Sequence, residues 1–358
     1  MSIPDLAHWA ARQFTRTASP PELASLGRGL INDTFKVTGP AGDCFVLQRL
    51  NSRVLPNPAA ILANYRVLLA HRRNLPQSRR HLRIPHLRLT LNGQDHLIDE
   101  AGHLWRALQY LAETRSLARL TTPQQARAVG TGLGRFHGLF ADLATDCLQD
   151  TLPGFHVTPR YLEHYDAVCR QVASTTAELE QAMVQAEAGR SRAAVLEAAR
   201  LRGDLRERVT HGDPKLDNLL FDQACSRVVS LIDLDTVKAG LPHYDLGDCV
   251  RSCCGRNEQG TPAFDLSLCI PLLQAYHAQS LRFTTPGERH YWYDAIRLIP
   301  YELGLRFLTD HLAGNIYFKV THPDQNLHRA LAQFRIADSV EQQKEPLLGA
   351  LAQLERRV

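Results

Sequence analysis

Over the first ~110 residues the hydrophobic positions come in short, strand-like runs separated by glycine and proline; beyond them they recur mostly at helical spacing. Residues 26–37 read as a strand, a glycine-containing turn and a second strand. Gly39-Pro40-Ala41-Gly42-Asp43 then turns the chain into another strand over 44–50. From Pro58 a helix is expected, with Ile61, Tyr65, Leu68 and Leu69 on one face. Residues 87–91 and 94–99 predict a hairpin around Asn92-Gly93, and 105–111 the last strand before a hinge. Thr122, Pro123 and Gln125 mark a helix start as N-cap, first helical residue and capping-box partner. Val129, Leu133, Phe136, Phe140 and Leu143 give that helix a core face. Residues 160–202 predict an antiparallel helical pair broken at Gly189. Beyond Asp245 the chain reads as helix to its end.

Composition narrows the class. With 358 residues, 44% hydrophobic and 22% charged, the chain is long and apolar enough for two domains or one bilobal unit, and too apolar for disorder. The net charge of +4, from 41 basic and 37 acidic side chains, is too balanced to indicate nucleic acid. No run approaches the ~18 apolar residues of a membrane span, and no charged start precedes an apolar stretch, so neither membrane nor secretion is expected. Eight cysteines are too few for a disulfide scaffold, and Cys249, Cys253 and Cys254 lack paired zinc-site spacing. Reduced thiols and a cytoplasmic location are the expectation.

The densest chemistry lies in His211-Gly212-Asp213-Pro214-Lys215-Leu216-Asp217-Asn218 and, after a short apolar strand, Ile232-Asp233-Leu234-Asp235. Phosphoryl transfer needs a carboxylate beside the attacking hydroxyl, metal ligands beside the phosphates and a cation on the group in flight. Asp213 suits the first role, Asn218 and Asp233 the second, and Lys215 the third. An isolated Asp-Asn pair at this spacing would more often be a solvated turn. Four such residues in one loop, followed by a strand ending in Asp, favour catalysis.

The His-Gly-Asp form with Asn five residues after the Asp resembles the aminoglycoside phosphotransferase-like kinases. Within them the chain looks most like the N-acetylhexosamine 1-kinases, through residues 29–37, 45–51, 244–248 and 302–310, extending to 317–319 and 339–341. The resemblance implies a bilobal, protein-kinase-like α+β fold. A small β-rich lobe with hinge would span residues 1–111 and a larger helical lobe 112–358. It also implies ATP as donor, magnesium on Asn218 and Asp233, and an N-acetylated amino sugar as acceptor. His211 would brace the loop, and Tyr244-Asp245 would order it.

Residues 27–37 would cover the phosphates, with Gly29, Asn32 and Thr34 at the nucleotide. Where relatives carry a strand lysine or arginine for the phosphates, this chain has Gln48 and then Arg49, of which only one can face the nucleotide. The following helix offers no Glu to pair with such a cation; its inward polar residue is Asn64. Backbone groups around Gln109 and Leu111 would meet the adenine. Arg306 and Tyr317 are implied as sugar contacts. Asp235 faces metal, substrate or nearby amides with even weight.

Other readings stand beside this one. An aminoglycoside acceptor would favour a carboxylate-lined site, whereas Arg306, Arg329 and Arg335 are interspersed here with Glu302, Asp310 and Asp338. A non-catalytic pseudokinase is favoured only by the missing Lys–Glu pair.

Overall fold

The computed structural model describes residues 3–16, 19–26, 31–40, 42–172, 174–258 and 261–356. A helix that the strand-like pattern did not announce comes first, α1 (Ile3–Phe14). Its Ala7, Ala10, Ala11 and Phe14 pack on Val37, Phe45, Leu47, Trp105 and Ala107, so α1 covers one face of a sheet. That sheet comprises β1 (Glu22–Ser25), β2 (Asp33–Thr38), β3 (Cys44–Arg49), β4 (Leu87–Arg88), β5 (His96–Ile98) and β6 (Leu104–Gln109). Its order is β1-β2-β3-β6-β4, with β5 also on β6, and every pairing is antiparallel. Side chains alternate across a strand. Because Phe45 and Leu47 meet α1, Val46 and Gln48 face the other way, towards the rest of the molecule.

The Asn92-Gly93 turn forms, with the Thr90 N–H on the Gln94 carbonyl at 2.6 Å and Gly93 at φ 80°. The expected hairpin does not. Both flanking strands are only two or three residues long, and each pairs with β6. α2 (Pro58–Asn74) starts where expected, capped by the Asn57 side chain. Its Asn64 amide is buried and donates to the carbonyls of Gln149 (2.8 Å) and Val237 (2.9 Å), tying the sheet region to the C-terminal region.

After β7 (Thr114–Arg115) the chain is mainly helical. α3 (Pro123–Leu139) is capped by Thr122, but Gln125 closes its side chain on the Thr121 N–H (2.8 Å) rather than on that of Thr122. Three short helices replace the expected pair: α4 (Thr158–Cys169), α5 (Ala177–Gly189) and α6 (Val195–Leu201). Glycine at 189, where α5 ends, has a packing cause, since a Cβ there would lie 2.0 Å from the Tyr301 ring. β8 (Arg208–Thr210) pairs with β11 (Lys238–Gly240), and β9 (Leu219–Asp222) and β10 (Val228–Leu231) form a second small sheet with β7, around residues 211–218. α7 (Pro242–Cys254) is followed by a hairpin, β12 (Gly255–Glu258) and β13 (Thr261–Phe264), where helix alone was expected. α8 (Leu266–Ser280), α9 (Pro286–Arg289), α10 (Trp292–Leu312), α11 (Gln325–Gln342) and α12 (Lys344–Glu355) complete the chain.

The helical region has two cores. One joins α3, α7 and α8; the other joins α4, α5, α6, α10 and α11. The fold is therefore mixed α+β, a sheet-bearing N-terminal region on a helical C-terminal one. Among the described residues, no helix is long and apolar enough to cross a membrane.

Candidate active site

The loop after β8 is fixed from below by one buried carboxylate. Asp245, on α7, accepts the backbone N–H groups of His211 (2.6 Å) and Gly212 (2.8 Å) and a bond from His137 Nε2 (2.8 Å). Burial opposes its charge, but His137 and these amides more than compensate and hold its carboxyl below the usual range. Gly212 has φ +85°, and a Cβ would sit 2.7 Å from the Thr236 carbonyl. That double constraint explains glycine between His and Asp. His211 is buried, donates Nε2–H to the Ile232 carbonyl (3.0 Å) and accepts the Asp213 N–H at Nδ1 (3.3 Å). Burial lowers its pKa, so this is a neutral brace with both nitrogens occupied. Asp245→Ala would strand His137 and two buried amides. The expected loss is about 3–5 kcal/mol, read as a lowered Tm in thermal melts; an unchanged melt would contradict the bracing role.

Above the brace the chemistry-bearing groups converge. Lys215 Nζ lies 2.5 Å from Asp213 Oδ2. Burial would lower the lysine's pKa, but Asp213 and Asp233 outweigh it and hold the ammonium above its ordinary range. Asn218 donates its amide to the Asp213 carbonyl (2.8 Å) and carboxylate (3.2 Å), while its backbone carbonyl takes the Ile232 N–H (2.9 Å). The next residue, Asp233, is left-handed at φ 65°, ψ 59°. Its carboxylate has no hydrogen-bond donor among the described residues. Burial first, then Asp235 and Asp213, push it up to about 7. Asp217 faces solvent.

A divalent cation fits this arrangement. Asp233 offers an uncompensated carboxylate, and Asn218 Oδ1 has no partner among the described residues. No group of three or more His, Cys, Asp or Glu side chains gathers there to hold a metal unaided. Two oxygen donors with remaining positions left for phosphates and water are what magnesium-type sites use.

The sheet closes the other side. Thr34, Gln48 and Arg106 lie directly opposite one another on β2, β3 and β6. Gln48 Nε2 donates to Thr34 Oγ1 (3.2 Å), and Gln48 Oε1 accepts from Arg106 Nε (3.0 Å) and Nη2 (2.7 Å). Arg106 Nη2 also reaches Asp235 Oδ1 (2.5 Å), and Asn32 Nδ2 donates to Asp235 Oδ2 (2.8 Å). The sequence-expected Asn32, Thr34, Gln48 and Asp235 thus form one polar wall with Arg106, which the sequence reading passed over. Arg49 is not part of it. It lies on the opposite face in an ion pair with Asp33 (2.7 Å), near the Trp105 ring, because strand alternation sends it to the α1 side. At the hinge, the Gln109 N–H is bonded to the His86 carbonyl (2.8 Å) and the Leu111 side chain is buried. Gly29 lies outside the described residues.

At the far end, α10 presents Glu302 and Arg306 one turn apart. Glu302 accepts from His156 Nδ1 (2.8 Å) and Thr158 Oγ1 (2.6 Å), and His156 Nε2 donates to the Gly212 carbonyl (2.7 Å). His156 donates from both nitrogens; burial opposes that charge, but Glu302 outweighs it and the pKa is raised. The Arg306 guanidinium is surrounded by Phe155 (5.1 Å), Tyr161 (5.2 Å), Phe318 (5.6 Å) and Tyr317 (5.7 Å). It makes no hydrogen bond or ion pair among the described residues. Burial works against its charge, but Tyr161, Tyr317, Glu302 and Asp213 hold it above its ordinary range. Tyr317 is held by its N–H on Asp310 Oδ1 (2.7 Å). Phe155, His156 and Tyr161 carry no local sequence signal, because they lie about 150 residues before the α10 residues they meet.

A two-part fold with a braced Asp–Lys–Asn loop beside a further Asp, closed on the other side by a polar wall of the sheet, defines a phosphotransferase of the kinase-like kind. The family comparison agrees: residues 22–291 match the phosphotransferase enzyme family known as APH, and the chain belongs to that family. Solved structures share the fold. An aminoglycoside phosphotransferase from Alicyclobacillus acidocaldarius is 16% identical with a TM-score of 0.62, covering 100% of this chain and 96% of that one. A microcompartment-associated aminopropanol kinase is 16% identical with a TM-score of 0.66, covering 95% and 98%. An amicoumacin kinase solved with AMP-PNP and Ca2+ is 14% identical with a TM-score of 0.60, covering 96% and 94%.

Proposed function

We propose that this phosphotransferase moves the γ-phosphoryl group of ATP, with magnesium, to a hydroxyl of a small uncharged acceptor, and that the acceptor is the anomeric hydroxyl of an N-acetylhexosamine. The observation that carries the phosphoryl-transfer reading is the loop itself, in which Asp213, Lys215 and Asn218 meet beside Asp233. Asp213 Oδ2 orients the acceptor hydroxyl and takes its proton. Lys215 offsets charge on the phosphoryl oxygens during transfer. Asn218 Oδ1 and Asp233 would hold the metal, which when bound would neutralise phosphate charge. Most of the rate enhancement is positioning and electrostatics. The amicoumacin kinase bound to AMP-PNP and Ca2+ supports an ATP-type donor with a divalent cation.

The acceptor is argued from Arg306. A protonated guanidinium with free N–H groups, boxed by four rings and electrostatically coupled to Asp213, repels polycationic aminoglycosides. Its donors suit ring and acetamido oxygens, and the aromatic faces suit the apolar side of a sugar ring. The sequence resemblance of residues 302–310 and 317–319 to the N-acetylhexosamine 1-kinases supports the same reading. Magnesium-dependent ADP release should appear with N-acetylhexosamines and not with aminoglycosides. Arg306→Ala should raise the acceptor KM by roughly 10–100-fold with the ATP KM unchanged, the loss of a charge-assisted pair of hydrogen bonds. Release only with aminoglycosides, or an unchanged acceptor KM, would overturn the acceptor assignment.

A further inference from the structure

We propose that Arg106 is the cation that receives the nucleotide's phosphates on the sheet side of the cleft, with Asp235 as its counter-ion. The inference rests on the reading of the chain as an ATP-dependent kinase. Gln48 occupies the inward position of β3 and is neutral, so it cannot neutralise phosphate charge. Arg106 stands directly opposite it on β6, on the same face, with no solvent exposure.

Three of its five N–H donors are assigned. Nε and Nη2 share Gln48 Oε1, and Nη2 also binds Asp235 Oδ1. Nη1 has no partner, although it is buried. A guanidinium carries five N–H donors, two of them on Nη1. A buried charged donor left unmatched is costly, and native proteins almost always pair such groups. The Tyr65 ring, 5.7 Å from the guanidinium carbon, is a cation–π partner and offers Nη1 no oxygen acceptor. The orphan therefore marks where an acceptor oxygen belongs. Among the described residues, the other cations of the cleft lie elsewhere: Lys215 is on Asp213, and Lys36, on the same sheet face, lies over the Tyr110 ring (4.6 Å) at the hinge.

The plane of the guanidinium is fixed in advance. Gln48 holds one edge, and Asp235 is itself anchored by Asn32 at Oδ2 and by Thr151, whose hydroxyl donates to its backbone carbonyl (2.7 Å). Asp235 is two residues beyond the metal-facing Asp233, so the counter-ion and the metal site share one short segment. The carboxylate that α2 does not offer is supplied from the opposite side of the cleft. Arg106–Asp235 thus replaces a strand lysine and its helix glutamate with different elements.

The test is the ratio of ADP to adenosine affinity, measured by calorimetry on the full chain, since only ADP carries phosphates. Wild type should prefer ADP. Arg106→Met should weaken ADP about tenfold or more and leave adenosine unchanged, as expected for losing a charge-assisted contact. Moving the cation one strand over, in the double variant Gln48→Lys with Arg106→Gln, should restore much of the ADP preference, which a purely structural role would not do. If Arg106→Met does not fold, the double variant decides by the same ratio. An undiminished preference for ADP in Arg106→Met, equal loss of both ligands, or a double variant without preference for ADP would overturn the assignment. A wild-type protein that binds neither ligand would overturn the kinase reading along with it.

Discussion

Asp213→Asn lowers kcat by roughly 10²–10⁴-fold and leaves nucleotide binding intact, the loss expected when a positioned general base is removed. The change is nearly isosteric, and the loop it sits in is held by other groups. Asp245 keeps both backbone amides at His211 and Gly212, and the Asn218 amide keeps the residue-213 carbonyl at 2.8 Å. What disappears is the proton acceptor and the charge that Lys215 pairs with at 2.5 Å. Steady-state ADP release and a nucleotide titration on the same preparation separate the two effects. Turnover within tenfold of wild type would remove Asp213 as the base. Loss of nucleotide affinity in parallel would place it at the donor instead.

Asp233→Asn is expected to abolish metal-dependent transfer and, at the same time, to stabilise the ligand-free protein at alkaline pH. In the unfolded chain this carboxyl titrates near 3.8, and in the fold it is pushed up to about 7, by burial first and then by Asp235 and Asp213. Between those values the folded state holds a proton that the unfolded state has released, so stability falls as pH rises through the window. The full penalty, reached above pH 7, is at most about 4 kcal/mol from the three-unit shift. An amide carries no such penalty, and asparagine tolerates the left-handed backbone at this position. The variant should therefore melt a few degrees above wild type at pH 8 and close to it at pH 4. With magnesium and AMP-PNP present the order should reverse, because a carboxylate gains far more from the cation than an amide does. A variant that melts lower at pH 8 without ligand would contradict the electrostatic account of this site.

The candidate loop stood out in the sequence because its residues are close together and are of the types that phosphoryl transfer calls for. Asp213, Lys215, Asn218 and Asp233 fall within 21 positions, and β10 joins the last to the rest. The Gln48–Arg49 question was not decidable from the strand itself. It is settled by α1, whose small residues Ala7, Ala10 and Ala11 cover the Phe45 and Leu47 face and so assign Arg49 to that side. Arg106 did leave a signal, an arginine inside the otherwise apolar Leu104-Trp105-Arg106-Ala107-Leu108, since a buried charge demands a partner. Its partner Asp235 lies 129 residues away, which no local pattern reveals. The β12–β13 hairpin was missed for another reason, as its short strands carry little alternation and come directly after α7.

The most direct test of the account is magnesium-dependent ADP formation with three acceptors: a free N-acetylhexosamine, its methyl glycoside with the anomeric oxygen blocked, and an aminoglycoside. The account predicts turnover with the free sugar alone, one ADP per sugar, and a product that has lost its reducing end. Equal turnover with the methyl glycoside, or turnover only with the aminoglycoside, would contradict it.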